Sequence, residues 1–124
     1  MSPFITSYIK SAIKGNPEAQ YKLAMCYYNG DGVTQEYILA IKWLKLASEQ
    51  DHAMSQKTLG YCYFRGNGVK QDYPQAYMWS KLAVGNGLAV ANSMIVKLSK
   101  IMSAEQISEA KSLAVERLAN RRTE

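Results

Sequence analysis

Two Ser-x-x-Lys tetrads, Ser7 to Lys10 and Ser11 to Lys14, are the residues whose types and spacing most directly suggest chemistry. A lysine amine one helical turn from a serine hydroxyl can take its proton, the first step of acyl transfer. The Ser-Asp-Asn and Lys-Thr-Gly segments that complete such a site are absent from the sequence. Both tetrads also fall on the polar side of a helical pattern, so they are read as solvated surface. His52 is the single histidine, so neither a histidine-based triad nor a two-histidine metal site can be built without it. It follows Asp51 between two helical segments and is read as a turn residue. Cys26 and Cys62 have neither the number nor the spacing of a structural zinc site. No catalytic, metal or cofactor residue is therefore assigned.

A third candidate is glycine-rich. Asn29-Gly30-Asp31-Gly32-Val33 returns as Arg65-Gly66-Asn67-Gly68-Val69, 36 residues later. A phosphate cradle requires Gly-x-Gly-x-x-Gly after a strand, or a lysine followed by a hydroxyl residue at the end of the loop. Neither is present. Paired glycines just past a helix instead permit positive φ, so the chain can end one helix and reverse into the next. The 36-residue offset also pairs identical residues on both sides of the loop, among them Gln20, Leu23, Cys26, Tyr27, Gln35, Tyr37, Ala40, Trp43 and Ala47 with their counterparts. A fixed period of this length is the mark of stacked supersecondary units.

The elements that position these residues are helical. Ser2-Pro3 has the form of a cap and first turn, and Phe4, Ile5, Tyr8, Ile9, Ala12 and Ile13 then mark one helical face. Gly15-Asn16-Pro17 ends that helix. From Glu18 to about Asn29, Ala19, Leu23, Ala24 and Tyr27 form an inward set. After the glycine loop Tyr37, Ala40, Ile41, Trp43, Leu44 and Ala47 continue to about Glu49. Helix, glycine turn, helix is thus one unit, and Leu59 to Ala83 repeats it, with Pro74 placing Tyr73 at or before the helix cap. A further helix of the first type begins after Gly87, with Ala91 and Ile95 in register. The glycine loop then gives way to Ser103 and Gln106, which have capping-box spacing. A last helix runs through Ile107, Ala110, Leu113, Ala114 and Leu118 and frays at Asn120-Arg121-Arg122. The expectation is an all-α chain of about seven helices and no strand, in which one unit cannot bury enough surface alone and stability is shared between neighbours.

Composition agrees. At 124 residues, 48% hydrophobic and 20% charged, the chain is ordinarily globular, and no apolar run approaches the ~18 residues of a spanning helix. A basic leader with an apolar core and cleavage site is not seen, which predicts a cytoplasmic location. Cys26 and Cys62 occupy equivalent places on neighbouring units, about 8–10 Å apart for stacked helices and too far for a disulfide. Reduced packing thiols are expected. The net charge is +5, and from residue 97 onward Lys97, Lys100, Lys111, Arg117, Arg121 and Arg122 stand against Glu105, Glu109, Glu116 and Glu124. Charge of this kind first argues solubility and nonspecific attraction.

The pattern Ala19-x-x-x-Leu23-Ala24-x-x-Tyr27-x-x-Gly30-x-Gly32-Val33, then Ala40-x-x-Trp43-x-x-x-Ala47, closely resembles the Sel1-like repeat, a relative of the tetratricopeptide unit. The second copy adds Leu59-Gly60, Asp72 and Ala76, while Glu36 stands for the usual Asp and Ser55 for the usual Ala. The resemblance covers about Gly15 to Ala91. It implies a right-handed αα-superhelix, a solenoid serving as an interaction scaffold or adaptor without catalysis. The expected organisation is one repeat domain over 1–124, with an N-terminal half-unit or cap helix at 1–15, repeats at 16–51 and 52–87, and a C-terminal helix pair or cap at 88–120. Some cysteine-rich relatives have been associated with β-lactam binding, but the cysteine pairs within each unit that mark them are missing here.

In tetratricopeptide-like units the first helix of each pair lines a concave groove. Carried over by the Leu-Gly-x-x-Tyr register, the groove residues are Tyr21, Met25 and Tyr28, then Lys57, Tyr61, Phe64 and Arg65, then Ser93, Lys97 and Lys100. The groove so inferred is aromatic at one end and basic at the other, and tyrosine, phenylalanine and arginine are residue types enriched in interfaces. The other reading of Tyr28 and Phe64 is that they pack on the glycine loop or an adjacent helix, which leaves Tyr21, Tyr61, Lys57 and Lys97 as the groove candidates. The functional expectation is a non-catalytic scaffold binding a protein or extended peptide, acidic or mixed in character, as an adaptor or as a bacterial immunity protein that occludes a toxin. The other reading is a basic nucleic-acid-binding helical array using the late lysines and arginines; a membrane is not implied.

Overall fold

The computed structural model describes residues 3–122, with side chains through residue 120. The proposed cap at Ser2 and the side chains of Arg121 and Arg122 lie outside the described residues. Seven α-helices follow one another: α1 Pro3–Ile13, α2 Pro17–Asn29, α3 Tyr37–Ser48, α4 Ala53–Arg65, α5 Tyr73–Gly85, α6 Asn92–Ile101 and α7 Ala104–Arg122, with a 3-10 turn at Ala89–Ala91 before α6. Among the described residues there is no strand, and no helix is long and apolar enough to cross a membrane. The architecture is an αα solenoid in which α2 packs on α3 and α4 on α5, each pair stacking on the next.

The glycine loop of each unit is closed by the same bonds, while the caps that open the first helices differ. Asn16 Oδ1 accepts from the Ala19 N–H at 2.9 Å to cap α2, and Pro17 takes the first turn. Gly30 and Gly66 end α2 and α4 at φ of 69° and 77°, where their N–H groups donate to the carbonyls of Cys26 and Cys62. Left-handed glycine at this place satisfies carbonyls that the helix end would leave open. Gln35 and Gln71 then reach back with Nε2 to the carbonyls of Tyr28 and Phe64, both at 2.8 Å. Repetition of sequence is thus repetition of hydrogen bonding.

The core runs between the helices as a chain of clusters. Ile5, Ala12, Ala19, Leu23 and Cys26 join α1 to α2, and Ala24, Ile41, Leu44, Leu59, Cys62 and Trp79 join the two units. Ala76, Tyr77, Ile95, Leu98 and Ala110 seat α6 and α7 on α5. Gln20 and Gln56 are buried with them, and their Nε2 groups donate to the carbonyls of Ala12 at 3.2 Å and Ser48 at 3.0 Å. A buried amide is tolerated only when paired, and here it ties each unit to the helix before it. The repeat pairs Gly15, Asp51 and Gly87, and all three adopt positive φ; Asp51 sits at 63°. Aspartate is among the few side chains that enter this region readily.

Several expectations are corrected. Phe4 and Ile13 of α1 and Leu118 of α7, which share an apolar helical face with buried residues, are exposed. Tyr73 is the first helical residue, with Asp72 Oδ1 capping α5 by accepting from the Gln75 N–H at 3.1 Å; one position before proline can still join the first turn when the cap precedes it. The third first-type helix starts only after a 3-10 turn, and α7 continues through Arg122 rather than fraying at Asn120. The Ser103 and Gln106 capping box forms in both directions, at 2.9 and 3.1 Å.

Candidate functional site

A hollow of about 360 Å³ crosses the first-type helices. α2 contributes Met25 and Tyr28, α4 contributes Lys57, Thr58 and Tyr61, and the α6 segment contributes Ala91, Ser93 and Met94. These positions are free to line a surface because Leu23, Cys26, Leu59 and Cys62, on the other sides of the same helices, are buried. Tyr61 is exposed, at 41%. Tyr28 is held from two directions: Asn67 Nδ2 donates to its hydroxyl at 2.8 Å, and its ring lies 5.0 Å from that of Tyr37. Partial burial raises the Tyr28 phenol above its ordinary value, with the Asn67 bond opposing that shift, so the group stays neutral at physiological pH.

Five of the ten inferred groove residues, Met25, Tyr28, Lys57, Tyr61 and Ser93, line this hollow. Phe64 and Lys97 form a separate pair, with the ammonium 5.3 Å from the ring centroid and Phe64 stacked at 5.8 Å on Tyr73. Arg65 and Lys100 are exposed near the ends of α4 and α6. Tyr21 is outside the hollow; its ring lies 5.1 Å from the His52 ring. Asn67, Thr58 and Met94 escaped the register argument. Asn67 was visible only as a glycine-loop residue, and Met94 stands one place after Ser93, where the preceding 3-10 turn governs which side of α6 meets α4.

The other candidate chemistries resolve structurally. His52 caps α4, its Nδ1 accepting from the Ser55 N–H at 3.2 Å and lying 2.8 Å from Ser55 Oγ, while Nε2 is 2.7 Å from Glu18 Oε2. Accepting from an N–H requires a bare Nδ1, so the proton belongs on Nε2, facing the carboxylate. A Ser–His–Glu chain exists, but Ser55 is fully buried and cannot meet a substrate. No group of three or more His, Cys, Asp or Glu among the described residues is placed to hold a metal. Both cysteines are free and buried, and burial pushes the Cys62 thiol up to about 12. Of the late cations, Lys97 lies over Phe64 and Arg117 lies 4.4 Å over Trp79, each drawn to an aromatic face.

Stacked helix pairs with glycine-turn connections and a hollow on one helix row define a helical-repeat scaffold. The Sel1 repeat model matches residues 17–52 and 53–88, and the chain belongs to the Sel1 repeat family. Repeats of this family commonly mediate protein–protein interaction and are generally non-catalytic. Among solved structures, a protective antigen of uropathogenic Escherichia coli strains displaying an SLR fold is 29% identical, with a TM-score of 0.89 over 93% of this chain and 25% of that one. A Sel1 repeat protein from Oxalobacter formigenes is 32% identical, with a TM-score of 0.71 over 73% of this chain and 37% of that one. The chain thus spans about a quarter and somewhat over a third of those two proteins. No curated protein matches it.

Proposed function

We propose that this chain is a non-catalytic adaptor that captures a protein or extended peptide along the row formed by α2, α4 and α6, as one repeat domain in the cytoplasm. Occlusion of a bacterial toxin is one form such capture takes. The observation that carries the reading is the hollow itself, where Met25 and the exposed Tyr61 gather beside Lys57 and beside Tyr28, which packs on the core and is held by Asn67. Tyr61, Phe64, Arg65, Lys97 and Lys100 extend the same row toward α6, and Tyr21 lies beside His52 at the start of α4.

The test is a quantitative affinity capture from the native host using the wild-type chain and a Tyr61→Ala, Lys97→Ala variant. Proteins held by the wild type should be lost from the variant at unchanged helicity; equal recovery would reject the groove. Ionic strength separates this reading from a nucleic-acid array, since contacts to phosphate weaken steeply between low and moderate salt and an aromatic-anchored groove does not.

A further inference from the structure

The wall of the hollow has a specific chemistry. Met25 and Tyr28 of α2, Tyr61 of α4 and Met94 of α6 line it together. Thioethers are polarisable, adapt to irregular shapes and make favourable contacts with ring edges, and aromatic rings add edge-to-face contacts of their own. Such a lining favours an aromatic guest over a branched aliphatic one. Tyr28 is already fixed by Asn67 and Tyr37, so one wall needs no ordering when a guest arrives.

Size and charge narrow the guest further. A volume of 360 Å³ is near the low end of the roughly 300–1,000 Å³ found for small-ligand sites. It admits one large side chain and part of its backbone rather than the face of a folded domain. Lys57 is the single charged residue in the wall, and no carboxylate lines the hollow. Lys57 is half-buried, so its charge is screened less by solvent than one on an open surface.

We infer that the hollow takes a short linear peptide segment with one aromatic anchor residue and a neighbouring carboxylate side chain that pairs with Lys57. The inference rests on the groove reading above and specifies its occupant. The ring inserts between Met25, Tyr61 and Met94, against the fixed face of Tyr28. The carboxylate meets the Lys57 ammonium at the rim, and Lys97 and Arg65 extend the positive potential along the row.

Fluorescence anisotropy with three labelled heptapeptides tests this on the full chain. The first has a central phenylalanine flanked by aspartates, the second replaces the phenylalanine with alanine, and the third replaces the aspartates with lysines. The first should bind the wild type about tenfold or more tighter than either of the others, and Tyr61→Ala should remove about tenfold of that affinity. Lys57→Glu should transfer preference to the lysine-flanked peptide, an exchange that a misfolded variant cannot produce. Equal binding of the acidic and lysine-flanked peptides by the wild type overturns the carboxylate assignment, and equal binding of the alanine peptide overturns the anchor. If no peptide binds but Tyr61→Ala, Lys97→Ala still loses its captured protein, the groove stands and this occupant is wrong. If neither peptide nor protein responds to Tyr61, both readings fall.

Discussion

Asn86 Nδ2 donates to Gln56 Oε1 at 2.9 Å, joining the end of α5 to the buried amide of α4, and Gln50 Nε2 donates to Gln20 Oε1 at 2.8 Å one unit earlier. Gln56 also donates to the Ser48 carbonyl and lies 3.5 Å from Asp51 Oδ1. A single side chain therefore connects the end of α3, the start of α4 and the end of α5. Stability in a solenoid resides in such nearest-neighbour links.

Replacing Gln56 with alanine removes one donor from the Ser48 carbonyl, which keeps the Asp51 N–H, and one acceptor from Asn86, which keeps Asp51 Oδ1, and opens space where the side chain is 1% exposed. Each hydrogen bond so lost is worth about 0.5–1.5 kcal/mol net, and the space left behind adds to that cost. Gln56→Ala should lower the urea midpoint accordingly. A change under about 0.5 kcal/mol, the range of ordinary surface substitutions, would remove the link from the account.

Much of this was legible because it is periodic. The 36-residue offset fixed the helix pairs, and Gly30 and Gly66 are the left-handed caps their spacing required. Period identity also marked Gln20 and Gln56, although it could not say that these polar side chains are buried, because a sequence pattern records polarity and not the carbonyl waiting opposite. For the same reason the register placed Met25, Tyr28, Lys57, Tyr61 and Ser93 on one helix row, and these residues line the hollow. It did not single out Met94, which follows a 3-10 turn that breaks the period, or the position of the Tyr21 ring beside His52, the cap residue of the neighbouring unit. Asn67 was invisible as a groove residue because its contact with Tyr28 crosses 39 residues.

Gly68 is required for space as well as conformation. It adopts φ of +74°, and a Cβ there would lie 2.7 Å from the Tyr37 carbonyl oxygen and 2.8 Å from Ile41 Cγ1. Gly87 has φ of +97° but open space around it. Gly87→Ala should therefore show only backbone strain, of order 1–3 kcal/mol, and Gly68→Ala that strain plus the cost of overpacking, about 1–3 kcal/mol more. Thermal unfolding of the two variants side by side checks the order, and equal losses would show that the second loop moves away from α3 without penalty.

Alkaline pH should destabilise the fold through Cys62. Burial raises its thiol from 9.0 to about 12 in the folded chain. Below pH 9 both states hold the proton and the group contributes no pH dependence. Above it the unfolded thiol ionises while the folded one does not, so the unfolded state binds fewer protons and stability falls as pH rises, by up to about 1.4 kcal/mol per unit, until the folded value is reached. Urea midpoints of the wild type and Cys62→Ala should converge between about pH 8 and about pH 10.5, since the variant lacks this linkage. Parallel profiles would place the alkaline loss elsewhere. The same scarcity of thiolate makes Cys62 slow to alkylate in the native state.

The bond from Asn67 to Tyr28 joins the second glycine loop to the first helix of the preceding unit and fixes one wall of the hollow. Tyr28→Phe and Asn67→Ala each remove it, so their combination should cost less than the sum of the two. A double-mutant cycle measured by urea unfolding should return a coupling of about 0.5–1.5 kcal/mol, the net worth of one such bond. Tyr28→Phe keeps the ring and its packing on Tyr37, so the fold is retained while the ring loses its tether. Freed in this way, the ring must be ordered again when a guest enters, at about 0.5–1.5 kcal/mol for one side chain, which predicts groove affinity two- to tenfold weaker, as order-of-magnitude bounds. Additive stability effects would mean that the bond is not formed in solution, and undiminished affinity in Tyr28→Phe would mean that the stack on Tyr37 alone holds the wall in place.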